Sequence, residues 1–199
     1  MKAVVATGYG PPEEYVVADV PVPRPGPGQL LVRVAAASVN PTDVRLPGGD
    51  FRDAVHLEFP HVPGNDFAGT VEEVGPGVTA FAVGDEVFGL AVPRALRALA
   101  GAARPSLSTG SLAEYAVFEA DTPLLAHRPA GLSAEGAAAL ATAGLTARAL
   151  MATAGVRPGE TVLVVGATGG VGTAVVPLLA AAVARVVATS TAADADLLR

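Results

Sequence analysis

Apolar positions change their spacing once along the chain, and the change marks two regions. In the first region they come in short runs closed by turn residues. Residues 2–6 are apolar and β-branched, and residues 15–20 resume that pattern after a Gly-Pro-Pro break. Residues 29–36 alternate apolar and polar side chains with period two, as a half-buried strand does. Residues 68–74 predict another strand, closed by Gly75-Pro76-Gly77, and residues 85–90 and 112–118 predict two more. Pro21, Pro23, Pro25 and Pro27 keep the intervening segment out of any helix or central strand, because proline has no backbone donor. Several short strands at this spacing predict an all-β barrel or sandwich.

Near residue 130 the pattern turns helical. Ser133 is placed to N-cap an Ala-rich helix, with Gly136 at its third position. A second helical stretch is predicted over residues 145–154, with Gly155 as its C-cap. Residues 161–165 then form a β-branched run without alternation, which predicts a strand buried on both faces. A glycine-rich turn, a helix and a second such strand over residues 185–189 complete one βαβ unit. The fold class is therefore α/β plus β, with domains over residues 1–125 and 126–199.

Composition narrows the function classes. The chain is 51% hydrophobic and 16% charged, which excludes intrinsic disorder. Its net charge is −6 and it has no basic tract, so nucleic acid is not an expected partner. The absence of cysteine removes disulfides, thiolate metal sites and a Cys nucleophile, and fits a cytoplasmic protein. The N-terminus has one Lys and a short apolar run, without the core of a signal peptide. Residues 161–184 carry no charge and could span a bilayer by length. The glycines and Pro177 inside that stretch fit a turn and helix instead, so no membrane is expected. Arg94, Arg97 and Arg104 lie in an apolar insert over residues 93–109. They read as a solvated loop or short surface helix, with a phosphate or acidic-ligand contact as the sharper alternative.

The segment with the clearest chemistry is Val164-Val165-Gly166-Ala167-Thr168-Gly169-Gly170-Val171-Gly172. It follows a predicted strand, opens a helix and precedes a second strand, the context a dinucleotide fingerprint requires. Gly166 permits the tight turn, Gly169 and Gly170 let the backbone approach a pyrophosphate, and Gly172 lets helix and sheet pack closely. The helix N-terminus offers unpaired N–H groups and a positive dipole end to the phosphates. The second strand ends in Thr189-Ser190-Thr191, with no carboxylate before Asp194. An NAD site usually places Asp or Glu there. A neutral, hydroxyl-rich end favours NADP(H), with NAD(H) as the alternative.

Taken together, the chain resembles the zinc-independent, quinone-oxidoreductase branch of the medium-chain dehydrogenase/reductase superfamily. The matching segments run in the family's order: residues 38–43 (Ser-Val-Asn-Pro-Thr-Asp), 62–71, 75–78, 83–87, 111–115, 144–147 and the glycine-rich turn. The resemblance implies a GroES-like β-barrel domain followed by part of a Rossmann domain, a doubly wound parallel sheet. It also implies hydride transfer from NADPH to a small-molecule quinone or enone. In the zinc-dependent branch a Cys and a His bind the metal. Their places are held here by Asn40 and Asn65, asparagine is a poor zinc ligand, and no metal is expected. His56, His61 and His127 lack a paired spacing and read as structural. By the same resemblance Asn40 lines the substrate pocket with Asn65, Thr146 meets the nicotinamide end, and Asp43 belongs to the pocket as a carboxylate holding its loop.

The sequence also departs from the family. It ends just after the second Rossmann strand, whereas a doubly wound domain has six strands. With a crossover of a dozen or more residues per parallel strand, on the order of 100 further residues are expected in a complete domain. Pro177 falls inside the helix after the glycine turn, at a cost of about 3 kcal/mol, and Val183 stands where a Gly would end that helix. A two-stranded parallel sheet exposes an edge and apolar faces, which predicts aggregation or a homodimer. A non-catalytic remnant that binds a partner or part of the cofactor is thus the alternative to an active reductase.

Overall fold

The computed structural model describes residues 1–98 and 103–198. Packing divides the chain into two compact units, Met1–Ala139 and the residues from Leu140 onward.

The first unit is mostly sheet. A hairpin pairs β1 (Lys2–Val5) with β2 (Val16–Asp19). β3 (Gln29–Ser38) is followed by a short helix α1 (Pro41–Arg45), β4 (Asp66–Val74), β5 (Glu86–Leu90) and β6 (Val92–Pro93). β7 (Leu107–Ser108), β8 (Tyr115–Glu119) and β9 (Leu125–His127) complete it. These seven strands from β3 to β9 form one sheet in the order β6-β7-β8-β3-β4-β5-β9. Only the β6–β7 pair is parallel, which makes this a mixed sheet. The period-two pattern of β3 places Leu30 and Val32 fully inside, against Phe67, Val71, Val87 and Phe118. The Phe67 and Phe118 rings stack with centroids 3.6 Å apart, so two aromatic side chains anchor a core otherwise built from aliphatic residues.

In the segment over residues 93–109, Arg94–Leu96 forms a single 3-10 turn and Leu107 and Ser108 are buried strand residues. The rest of that segment includes residues 99–102, which lie outside the described residues. β6, β7 and β9 are only two or three residues long, too short for periodicity to announce them.

One helix, α2 (Ala134–Ala154), replaces the two predicted ones. Its N-cap is Ser133, whose hydroxyl accepts the Gly136 N–H at 3.1 Å. Gly144 does not break it, since propensity costs of that size are overridden by packing on both sides of the position. Ala137 and Ala138 pack with Ala68 and Phe88 in the first unit. Ala147 and Met151, further along, pack in the second unit.

The second unit contains β10 (Thr161–Val164), α3 (Gly170–Ala181) and β11 (Arg185–Ala188), a parallel βαβ unit, then a 3-10 segment over Ala192–Leu198. The expectation that both faces of these strands are buried is not met. Val162, Val164 and Val186 face Val175 and Leu179 of α3. Leu163, Val165 and Val187 point the other way and are 62%, 78% and 44% exposed, because α3 covers only one face. Pro177 is accommodated inside α3. Val183 takes φ +59°, doing with a β-branched side chain what a glycine does at a helix end, against its intrinsic preference.

Candidate functional site

In the first unit the candidate residues gather at the junction of β3, α1 and β4. Asn40 is the N-cap of α1, and Pro41 fits the first helical position because it lacks a donor there. The Asp43 carboxylate turns back and accepts the Asn40 backbone N–H at 2.7 Å. Its other oxygen accepts the Gly64 N–H at 3.2 Å. Asp43 is buried, and burial raises its pKa above the usual carboxylate value. The two backbone donors pull the other way, while nearby Asp66 raises it further. The Asn40 side-chain amide donates from Nδ2 to Asp66 Oδ2 at 3.0 Å, and Ser38 Oγ donates to the same oxygen at 2.9 Å.

Gly64 has φ +111°, and a Cβ there would stand 2.4 Å from Ser111 Oγ and 2.6 Å from the Leu112 nitrogen. Only glycine fits so close an approach of the Ser111-Leu112 backbone. That approach is fixed by Ser111 N–H to the Gly64 carbonyl at 3.1 Å and Leu112 N–H to the Pro63 carbonyl at 3.0 Å. Asn65 follows, 5% exposed, and its Oδ1 has no hydrogen-bond partner among the described residues. A buried amide oxygen left unpaired costs roughly 1–3 kcal/mol. The sequence singled out Asn40, Asp43 and Asn65. It did not single out Asp66 or Ser38, which hold the Asn40 side chain. Their signal was position: each lies within two residues of a site asparagine and is a polar residue at a strand end.

A separate cleft of about 500 Å³ in this unit is lined by His56, Glu58, His61, Arg94, Ser108 and Thr109 among others. His61 is mostly buried, and desolvation lowers its pKa to about 4. Its Nε2 has no partner among the described residues. Arg94 reaches Glu119 at 4.0 Å and Arg104 reaches Asp121 at 2.9 Å. His127 pairs with Asp85 at 3.0 Å. No group of three or more His, Cys, Asp or Glu side chains suited to a metal occurs among the described residues.

In the second unit the glycine-rich loop joins β10 to α3. Gly166 has φ +74° and makes the turn out of the strand. Its N–H donates to Thr189 Oγ1 at 3.1 Å, and the Ala167 N–H donates to the Thr189 carbonyl at 2.9 Å. Thr189 therefore clamps the loop to the end of β11. Gly172 is buried beneath the turn, and a Cβ there would meet the Gly166 carbonyl oxygen at 2.3 Å and Ala167 at 2.7 Å. Gly169 is the N-cap of α3, no side chain caps it, and a Cβ on Gly170 would meet nothing. Val171 lies in the first turn of α3 and is partly buried. The result is a helix N-terminus with backbone donors and no side-chain cap, suited to phosphate oxygens.

Thr168 Oγ1 donates to Asp194 Oδ2 at 3.3 Å, and Thr191 Oγ1 donates to the same oxygen at 2.8 Å. The 3-10 segment thus folds the Asp194 carboxylate back onto the loop, so the end of β11 is not the carboxylate-free one from which the sequence favoured NADP(H). Ser190 is partly buried between these residues in sequence. Thr146 is exposed on α2 in this unit, while Asn40, Asp43 and Asn65 belong to the first.

Comparison with known proteins accords with this arrangement. Residues 26–129 match the alcohol dehydrogenase GroES-like domain. The chain belongs to that family, within the medium-chain dehydrogenase/reductase superfamily. It is 35% identical over 206 residues to the chloroplastic quinone-oxidoreductase QR1 of Triphysaria versicolor, covering 100% of this chain and 58% of that protein. It is 37% identical to the 2-methylene-furan-3-one reductase of Solanum lycopersicum, covering 100% of this chain and 50% of that one. A mycobacterial structure solved in complex with NADPH superposes with a TM-score of 0.80 at 34% identity, over 99% of this chain and 54% of the other. The chain thus spans about half the length of the curated relatives it matches, and its second unit carries the opening βαβ of a Rossmann-like domain.

Proposed function

We propose that this chain serves an NADPH-dependent oxidoreductase that delivers hydride to a quinone or an α,β-unsaturated carbonyl without a metal. The observation that carries the reading is the glycine loop. It leaves β10 through a left-handed Gly166, rests on a Gly172 that tolerates no side chain, and opens an uncapped α3. Gly166, Ala167, Thr168, Gly169, Gly170, Val171 and Gly172 would hold the pyrophosphate, and Thr189, Ser190 and Thr191 the adenosine ribose side. The similarity to a structure holding NADPH supports the choice of cofactor.

When bound, a dihydronicotinamide supplies the hydride. The work of the chain is to bind, orient and stabilise charge. Asn40 presents an amide donor to the substrate oxygen, where negative charge develops as hydride arrives. Asn65, whose amide oxygen has no partner among the described residues, supplies a further polar contact in the pocket. Thr146 contacts the nicotinamide end. Asp43 keeps the Asn40 loop closed by holding two backbone N–H groups. The similarity to a quinone oxidoreductase and to a furanone reductase supports both substrate classes. The test is loss of NADPH absorbance at 340 nm with 1,4-benzoquinone and with an alkenone. Turnover by the protein containing this chain, reduced at least tenfold by Asn40→Ala, supports the reading. Absence of turnover with every quinone and enone tried refutes it.

A second reading rests on Leu163, Val165 and Val187, whose exposure leaves one face of the β10–β11 pair apolar and open. On this reading the isolated chain associates with itself through that face.

A further inference from the structure

Asn40 is held twice, by two different buried carboxylates. Asp43 takes its backbone N–H at 2.7 Å, and Asp66 takes its side-chain Nδ2–H at 3.0 Å. Asp66 cannot shift easily. It is 1% exposed, it opens β4, and it pairs across the sheet with Ser38 on β3 and Leu90 on β5. Its backbone carbonyl also accepts Ser111 Oγ at 2.9 Å.

A buried carboxylate is an expensive way to pair a serine and an asparagine, because removing it from water costs more than burying an amide. It does one thing that a neutral amide or hydroxyl cannot: it only accepts. The two ends of an asparagine amide have nearly the same shape, so hydrogen bonds choose between them: the capping box turns one end to the Asp43 N–H, and Asp66 takes the other. Turned the wrong way, Asn40 would set its Oδ1 against Asp66 Oδ2, oxygen on oxygen. Ser38 already donates to that same oxygen at 2.9 Å. With its only proton committed there, Ser38 cannot serve as a donor to a flipped Asn40.

We propose that Asp66, assisted by Ser38, is a positioning residue that fixes the Asn40 amide in one orientation. Nδ2 faces the carboxylate, Oδ1 faces the Asp43 N–H in the capping box of α1, and the second Nδ2 proton stays available to the substrate. The proposal deepens the functional reading above and rests on it for the role of Asn40. The orientation itself does not depend on that role.

Two measurements test it. The first is a through-hydrogen-bond coupling between Asn40 Nδ2 and Asp66 Cγ in the ¹³C,¹⁵N-labelled wild-type chain. The coupling is expected, and its absence overturns the proposal whether or not any variant folds. The second is a double-mutant cycle on quinone reduction with Asp66→Asn, Asn40→Ala and the pair. Asp66→Asn can donate as well as accept, so the Asn40 amide can turn. The expected result is a kcat about tenfold lower in Asp66→Asn, with the KM for NADPH unchanged and no further loss when Asn40→Ala is added. Ser38→Ala, which leaves the carboxylate in place, is expected to lose less than threefold. Additive losses, or a parallel rise in the NADPH KM, would make Asp66 a structural residue and overturn the proposal. If the wild type turns over no quinone, the functional reading fails, and the coupling alone decides what Asp66 does.

Discussion

Gly172 lies so close beneath Gly166 that a Cβ on it would stand 2.3 Å from the Gly166 carbonyl oxygen. The neighbour is backbone, with no flexible side chain to yield. Gly172→Ala therefore has to push the turn away from α3. Overpacking of this kind costs on the order of 1–3 kcal/mol, and the displaced part is the phosphate cradle itself. We expect Gly172→Ala to lower the unfolding free energy by that amount in urea and to weaken NADPH binding at least tenfold. Wild-type affinity in this variant would show that the loop does not hold the cofactor.

Asp194 bears on cofactor choice. It accepts Thr168 Oγ1 and Thr191 Oγ1 on one oxygen, which puts a carboxylate beside a loop whose second strand ends in hydroxyls. A negative charge there opposes a 2′-phosphate. Asp194→Asn keeps an acceptor and removes the charge. We expect the ratio of NADH to NADPH dissociation constants to move at least threefold in favour of NADPH. A ratio unchanged in competition titrations would place Asp194 away from the ribose.

His61 gives stability a defined pH dependence. Burial lowers its folded pKa to about 4 from 6.5, so between those values the unfolded chain binds more protons than the folded one. Stability from this group is complete above pH 6.5 and is lost as pH falls towards 4, by roughly 2–3 kcal/mol. Asp43 acts with the opposite sign. Its pKa is raised, largely by burial, so its folded form favours the proton and stability falls as pH rises from 3.8. Urea unfolding of wild type and His61→Gln between pH 7 and pH 4.5 separates the two. The difference in unfolding free energy between them is expected to shrink on acidification, and a constant difference would contradict the burial of a neutral imidazole.

The open face of the β10–β11 pair predicts self-association of the isolated chain. Leu163 and Val165 are 62% and 78% exposed there, and an apolar face of this kind is seldom left to water. Sedimentation velocity is expected to show concentration-dependent species above the monomer, and Leu163→Lys with Val165→Glu to reduce them. A single monomeric species in the wild type would contradict this.

Much of the architecture was legible because it depended on local spacing. β3 read as a strand from its alternation, and the Ser133 cap marked the start of α2. The turn from β10 into α3 was legible because Gly166 and Gly172 each had a backbone reason to be glycine. The misreadings came from what spacing cannot carry. Leu163 and Val187 look like doubly buried strand residues, but their exposure depends on which elements cover each face. Residues 145–154 look like a helix of their own, but they continue α2 through Gly144, whose cost yields to packing along the helix. Asp194 and Asp66 were passed over for a related reason. Each acts through a partner 26 residues away, Thr168 and Asn40 respectively, and only the fold brings those pairs together.

The claim on which the account stands is that the loop from Gly166 to Gly172 holds a nicotinamide dinucleotide. Titration of the purified chain with NADPH, followed by the cofactor's own fluorescence, tests it most directly. The account predicts saturable binding, with a dissociation constant in the micromolar range typical of substrate and cofactor sites, weakened at least tenfold by Gly172→Ala. No saturable change up to millimolar NADPH, in a chain shown to be folded, would contradict it.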